Sequence, residues 1–294
     1  MDVFVQQLAN GLSLGGTYAL LALGLAIVFS IMGLINFAHG DLMTLCGYVM
    51  VFIVAAGLPF ALAVVAGVAT AAVAAMLMER IAFRPLRGAG AASMLLSSFA
   101  ISTILHILFQ NLISARPQAI PYPAFFSATV DLGIARIGMI QAISIAATAV
   151  LLVALDQFMR RSVLGIGMRA AAQDFAVTRV MGINADRVIV AAFAISGLLA
   201  GVAAVLWIAQ RGSVDPTMGF NPVLKAFIAV VLGGLGSLPG AVAGGVVLGL
   251  LEVFLRAYLP EAVIPYRDAV ALSVVIAILL ARPKGLLGRR EAVR

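Results

Sequence analysis

Apolar runs of about 20 residues recur along the whole chain, each long enough to cross a hydrocarbon core of about 30 Å as a helix. They predict nine spans, at roughly 9–31, 42–57, 58–78, 91–112, 138–159, 188–209, 223–236, 240–259 and 268–281. The runs are continuous Ala, Leu, Val and Gly, without the apolar–polar alternation of a membrane β-barrel. The pattern therefore predicts an all-α, polytopic integral membrane protein, one transmembrane domain over residues 1–294. Two interruptions are short. Pro59 barely separates spans two and three, and Gly233-Gly234-Leu235-Gly236-Ser237-Leu238-Pro239-Gly240 divides spans seven and eight. Broken or re-entrant helices of this kind are tolerated only where they are buried in protein or line a cavity. One in each half points to an internal pseudo-repeat with a pathway between the halves.

Composition places the chain in the same class: 63% of its 294 residues are hydrophobic and 11% charged, against about 25% charged in soluble domains, and mean hydropathy is +1.14. The net charge of +7 is spread over the ends of apolar runs, not gathered into an aromatic-flanked patch, which argues against nucleic acid. Three basic segments carry Arg80, Arg84 and Arg87; then Arg160, Arg161, Arg169, Arg179 and Arg187; then Arg282, Lys284, Arg289, Arg290 and Arg294. With nine crossings and the N-terminus outside, all three fall on the cytoplasmic side, as the positive-inside rule requires. The segments 160–188 and 282–294 are then a cytoplasmic loop and tail. The N-terminus lacks a basic n-region and runs into an apolar stretch too long for a signal sequence, so it reads as an uncleaved first span. A single cysteine, Cys46, excludes an internal disulfide.

Small residues recur at four-residue spacing: Gly11/Gly15, Gly197/Gly201, Gly236/Gly240/Gly244 and Gly245/Gly249. This stacks them on one helix face and lets backbones approach, most simply as packing within the chain.

Polar residues in the apolar background are the candidate chemistry. Asn36, His39 and Asp41 follow span one, either at the cytoplasmic interface or as a helix break that lines a path. A charge at a helix centre in lipid costs about 2.5–3.5 kcal/mol. Ala38-His39-Gly40-Asp41 also echoes the Gly-x-Gly-Asp of intramembrane aspartyl proteases. That chemistry needs a second buried aspartate, and the one candidate, Asp156, sits beside Arg160 and Arg161 at an inner helix end. Ser98, Ser102, His106 and Gln110 form a polar stripe on span four, for interhelical hydrogen bonding or for a solute path. His39 and His106 without nearby cysteines argue against a metal site. Glu252 and Arg256, one turn apart, read as an i,i+4 ion pair.

The segment 160–188 is the longest loop on the basic side. Met168 to Met181 predicts a short helix with Ala170, Ala171, Ala172 and Phe175 near one face and Arg169, Gln173, Asp174 and Arg179 supplying polarity. Gly182 fits a left-handed C-cap and Asn184 the next N-cap. Such a helix suits docking into a cleft on another protein, or lying on lipid. No Gly-x-x-x-x-Gly-Lys-Ser/Thr occurs, so the chain does not carry its own ATPase.

Asn10-Gly11-Leu12, Tyr18-Ala19-Leu20, the block Gly33–Asp41, Arg169–Asp174 followed by Met181–Asn184, Ser196-Gly197 and Leu232–Ala241 occur in this order. In them the chain resembles the permeases of branched-chain amino acid ABC importers, of the LivH type, over essentially its whole length. It departs from the family pattern at Ser30, often glycine, and at Cys46-Gly47-Tyr48 in place of Gly-Ala-Tyr. The resemblance implies a transport subunit with no cofactor and no enzyme activity of its own, in a bacterial inner membrane. It implies a heterodimer with a second homologous permease, two cytosolic ATPase subunits that bind the ATP, and a periplasmic substrate-binding protein. The helix around 168–182 then looks like the coupling helix that seats in an ATPase cleft. Asn36, His39 and Asp41, with Ser98, Ser102 and His106, are expected at a hinge or gate at the inner part of the pathway. Urea, short amides or another amino acid remain alternative cargoes, since no residue set discriminates them. A proton-coupled secondary transporter using His39, Asp41 or Glu252 is the alternative of a different class.

Overall fold

The computed structural model describes residues 2–131 and 136–288; Arg289, Arg290 and Arg294 of the expected basic tail lie outside them. The elements are α1 Asp2–Met32, α2 His39–Ala55, α3 Phe60–Met78, α4 Ala91–Leu112, α5 Met139–Arg161, α6 Val163–Gln173 and α7 Phe175–Val180. They continue with α8 Ala185–Arg211, α9 Phe220–Gly233, α10 Leu238–Tyr258 and α11 Arg267–Ala281. A π-helical turn, Glu79–Phe83, and a 3-10 turn, Arg84–Leu86, prolong α3.

All nine expected apolar elements form helices, but among the described residues seven are long and apolar enough to cross a membrane. The exceptions are α2, of 17 residues, and α9, of 14. At 1.5 Å per residue they reach about 25 and 21 Å, short of a hydrocarbon core of about 30 Å. The interruptions read from the sequence are real: Pro59 caps α3, and Gly234 and Gly236 take positive φ between α9 and α10.

Those two short helices occupy equivalent places in an internal repeat, α1–α4 and α8–α11. Helix α1 packs on α10 as α8 packs on α3, α1 meets α9 as α8 meets α2, and α1 crosses α8 at the centre. The repeat is inverted. Ser13, Tyr18 and His39 beside Gly24 meet Gln210, Trp207 and Ser196 in turn, so α1 and α8 run antiparallel. Turn glycines mark the register. Gly33 and Gly212, and Gly57 and Gly236, all with positive φ, stand at the same separation in sequence as Gly40 and Gly219.

Packing rests on small residues because lipid supplies no hydrophobic drive between helices. A Cβ at Gly249 would lie 2.3 Å from the Cα of Gly15, and one at Gly197 2.6 Å from the Ala71 carbonyl. At the C-terminal end of α9, Leu286 N donates to Leu232 O (2.8 Å) and Leu287 N to Gly233 O (3.0 Å), so residues 286–287 cap that helix.

Ion pairs fasten the end of the bundle that carries the basic segments. Arg87 bridges the fully buried Glu79 in the π-turn and Asp186 in the first turn of α8, while Arg84 reaches Asp186 at 2.9 Å. Asp156 pairs with Arg160 at 2.9 Å. The expected Glu252–Arg256 pair does not form. Glu252 is taken instead by Lys225 of α9 and by the Tyr18 hydroxyl (2.9 Å), and Lys225 also holds Asp268 at 2.9 Å. A lysine from another helix reaches this carboxylate, which the spacing within one helix does not reveal.

Arg87→Ala strands the Glu79 carboxylate in a buried site and should cost about 3–5 kcal/mol. Arg84→Ala breaks only an exposed pair and should cost about 0–1 kcal/mol. Thermal unfolding of the two purified variants, compared with the parent, checks the order.

Candidate functional site

The site is built by a chain reversal. Gly33, at φ +64, ends α1, residues 34–38 fold back into the bundle, and α2 starts at His39. Its polar residues therefore stand inside the bundle beside Ser196, near the middle of α8. At the same level the first turn of α9 arrives from the other half. A Cβ on Gly40 would lie 2.3 Å from the Gly219 carbonyl oxygen, and one on Gly219 1.8 Å from that of Gly40. The N-termini of two half-length helices thus meet backbone to backbone. Their entries have matching hydrogen bonds: His39 N to Asn36 O and Asp41 N to Ala38 O; Met218 N to Asp215 O and Phe220 N to Thr217 O.

The six polar residues expected at a gate converge on this junction. His39 is fully buried, its Nδ1 3.2 Å from Ser196 Oγ and its ring against Gly24. Asp41, on the first turn of α2, faces α4, where His106 Nε2 stands 2.8 Å from its Oδ1. Asn36 Nδ2 points to Met78 Sδ at 3.6 Å. Ser98 Oγ accepts from Phe37 N (3.3 Å) and donates to the carbonyl of Leu95 (2.8 Å), which fixes α4 to the re-entrant loop. Ser102 is buried one turn before His106. Several buried atoms find no hydrogen-bond partner among the described residues: Asn36 Oδ1, His39 Nε2, both oxygens of Asp41 and Thr44 Oγ1.

Sequence reading missed Thr44, Gly219 and an aromatic wall. Phe37 stacks on Phe99 with centroids 4.4 Å apart, Phe227 lies 5.8 Å from Phe37, and Phe220 meets His106 edge-on at 6.3 Å. Thr44 was legible as the residue one turn after Asp41. The aromatics carry no signal against an apolar background. Among the described residues no three His, Cys, Asp or Glu side chains converge as a metal site would need.

The segment 160–188 forms two helices, not the single one expected over Met168–Met181. Asp174 takes an extended conformation and its Oδ1 accepts from Val177 N at 3.0 Å, so it ends α6 and caps α7. Aspartate favours such local caps over helix interiors. Gly182 has φ +82, and Asn184 caps α8 through Arg187 N at 3.1 Å, both as expected. The alanines divide: Ala171 is buried with Met168, Ala170 is half-buried and Ala172 exposed. Arg169, Asp174 and Gly182 are exposed and Phe175 is half-buried. The face open to a partner carries Ile166, Val177, Val180 and Met181.

This architecture has known relatives. Residues 7–279 match the family model described as branched-chain amino acid transport system / permease component. The chain is 38% identical over 304 aligned residues to the high-affinity branched-chain amino acid transport system permease protein LivH of Escherichia coli K12, covering 98% of this chain and 96% of that one. It is 37% identical to the corresponding permease BraD of Pseudomonas aeruginosa, over 98% and 97% of the two chains. The ribose import permease RbsC of E. coli K12 is 27% identical over 84% of this chain and 77% of its own. By family model and by full-length similarity, this multi-pass membrane protein belongs to the branched-chain amino acid transport system permease family.

Proposed function

We propose that the chain is the membrane-spanning permease subunit of a binding-protein-dependent ABC importer for branched-chain, aliphatic amino acids. Its partners are a second homologous permease in a heterodimer, two cytosolic ATPase subunits and a periplasmic binding protein. It lies in the bacterial inner membrane with the N-terminus outside and the C-terminus in the cytoplasm. Family membership supports the cargo. The paired helices α6 and α7 support the coupling: they present exposed apolar residues on the strongly basic side of a chain with no nucleotide-binding motif.

The gate is the junction of α2 and α9. Two helix N-termini in backbone contact close a path through the bundle, and they must part for a solute to pass. Motion reaches them through α8, which begins at the Asn184 cap directly after α7 and carries Ser196 against His39. Asp186 in its first turn is tied by Arg84 and Arg87 to the end of α3, so a push on α6 and α7 moves both halves. Arg169, Ala172 and Asp174 lie on the docking side. Ala171 supports α6 from beneath and does not touch the ATPase.

Uptake of leucine into proteoliposomes holding all subunits should require ATP and survive collapse of the proton gradient. Uptake without the ATPase subunits, driven by that gradient, would instead make the protein a secondary transporter. Inhibition of leucine uptake by urea or short amides, without inhibition by isoleucine or valine, would reassign the cargo.

Ala172→Glu and Val180→Glu should weaken ATPase copurification and lower uptake by roughly tenfold, the scale of one interface hot spot. Ala171→Glu should lower the yield of folded protein, because it buries a charge beneath α6. Gly219→Val should abolish uptake while the complex still assembles, since its side chain would wedge α9 away from α2. Pull-down and uptake measured on the same preparations separate these outcomes.

A further inference from the structure

We infer that Asp41 receives the ammonium end of the transported solute and that His106 is a placeholder which yields that position. The inference rests on the proposed amino acid cargo and adds which residues touch it.

Asp41 is buried at 2% exposure with His106 and Ser102 beside it, yet neither of its oxygens receives a well-aligned hydrogen bond among the described residues. A carboxylate in that state costs several kcal/mol unless something supplies donors. The nearest group, His106 Nε2, comes to 2.8 Å but stands out of line for a hydrogen bond, and it too is left without one. His106 is the more accessible of the two, with 19% of its side chain exposed against 1% for Asp41, so it covers the carboxylate like a stopper. Rotation of the imidazole uncovers the carboxylate.

A primary ammonium brings three donors in a compact head. Asp41 supplies one strong, charge-assisted acceptor. Thr44 Oγ1 is a second, also unpartnered and on the same helix face one turn later. Ser102, on α4 one turn before His106, offers a third acceptor. Beside this polar end stand Phe37, Phe99 and Phe220, half-buried or exposed aromatic rings that suit a branched aliphatic chain.

Two other charged groups nearby do not compete for this role. His39 turns away toward Ser196 and Gly24, on the far side of α2. The cluster of Tyr18, Lys225, Glu252 and Asp268 is internally satisfied, with each carboxylate held by Lys225, and so leaves no vacancy for a ligand. Glu79 Oε2 also lacks a hydrogen-bond partner, but its other oxygen is held by Arg87; among the described residues Asp41 is the buried carboxylate with neither oxygen in a well-aligned hydrogen bond.

The test labels a Ser102→Cys thiol in the assembled importer, in membranes, with a small water-soluble maleimide. The parent chain, whose Cys46 is fully buried, serves as the blank. Leucine and 3-methylbutylamine, which share the ammonium and the branched chain, should slow labelling by roughly tenfold at saturation, the effect of one charge-assisted contact. The acid 4-methylpentanoate, with the same chain and no ammonium, should not. Protection by the amine should vanish in Asp41→Asn and persist in Asp41→Glu and in His106→Gln. Equal protection by the acid, protection that survives Asp41→Asn, or a Ser102→Cys thiol that no reagent reaches would each overturn the inference. Leucine uptake by the unsubstituted importer is measured alongside. If uptake fails while amine protection holds, the cargo reading is wrong and the ammonium site stands.

Discussion

The contact between Gly40 and Gly219 is the constraint on which the molecule turns. Two helices end inside the bundle with their N-termini face to face, close enough that neither position tolerates a Cβ. Each terminus presents unpaired N–H groups and the positive end of a helix dipole. In lipid that arrangement is costly, because no water reaches the free donors. Asp41 in the first turn of α2, and Asp215 ahead of α9, whose Oδ1 accepts from Thr217 N and Oγ1, place negative charge where the dipoles demand it. The polar residues of the re-entrant loop are the other half of that compensation. They explain why an otherwise apolar chain concentrates an amide, an imidazole and a carboxylate within six residues.

The inverted repeat turns one strained junction into a symmetric device. In each half a short helix is tied by an ion pair to the fourth helix of its own repeat: Asp41 of α2 to His106 of α4, and Lys225 of α9 to Asp268 of α11. Helix α11 also packs on α10, and α4 is also held to the re-entrant loop through Ser98 and Phe99. The two ties differ in kind. The lysine tie is braced by Glu252 and Tyr18 and is complete, while the histidine tie leaves its atoms short of partners. Symmetry of backbone thus coexists with asymmetry of chemistry. A two-fold frame carries one fixed side and one responsive side.

Much of this was legible in the sequence. Apolar run length located all nine apolar helices but not that two of them are too short to cross, the turn signals at Pro59 and at residues 233–240 marked both breaks, and Gly182 and Asn184 took the cap roles their types predict. The six polar residues were singled out because each contrasts with lipid-compatible neighbours, and the fold brings them near one another. What stayed hidden shares one cause. Helices that are apolar on every side carry no periodic signal to say which face meets which neighbour. Hence the inward turn of Ala171, the aromatic wall and the pairing of Glu252 with Lys225 were invisible. The return of residues 34–38 into the bundle beside the middle of α8 was hidden for a related reason, since charge parity addresses which side a loop lies on and not how far it folds back. The register of the repeat was readable after all, in the constant spacing of three glycine pairs, two at positive φ and one in backbone contact.

The capping of α9 by the C-terminal segment bears on how the protein is made. The carbonyls of Leu232 and Gly233 receive their donors from Leu286 and Leu287, more than fifty residues later in the chain. Helix α2 ends in a turn of its own and needs no such help. During synthesis the first half can close as soon as it is inserted. The second half-helix keeps open carbonyls until α11 has left the ribosome and residues 286–287 have folded back, so a chain cut short after α11 would leave α9 without this cap.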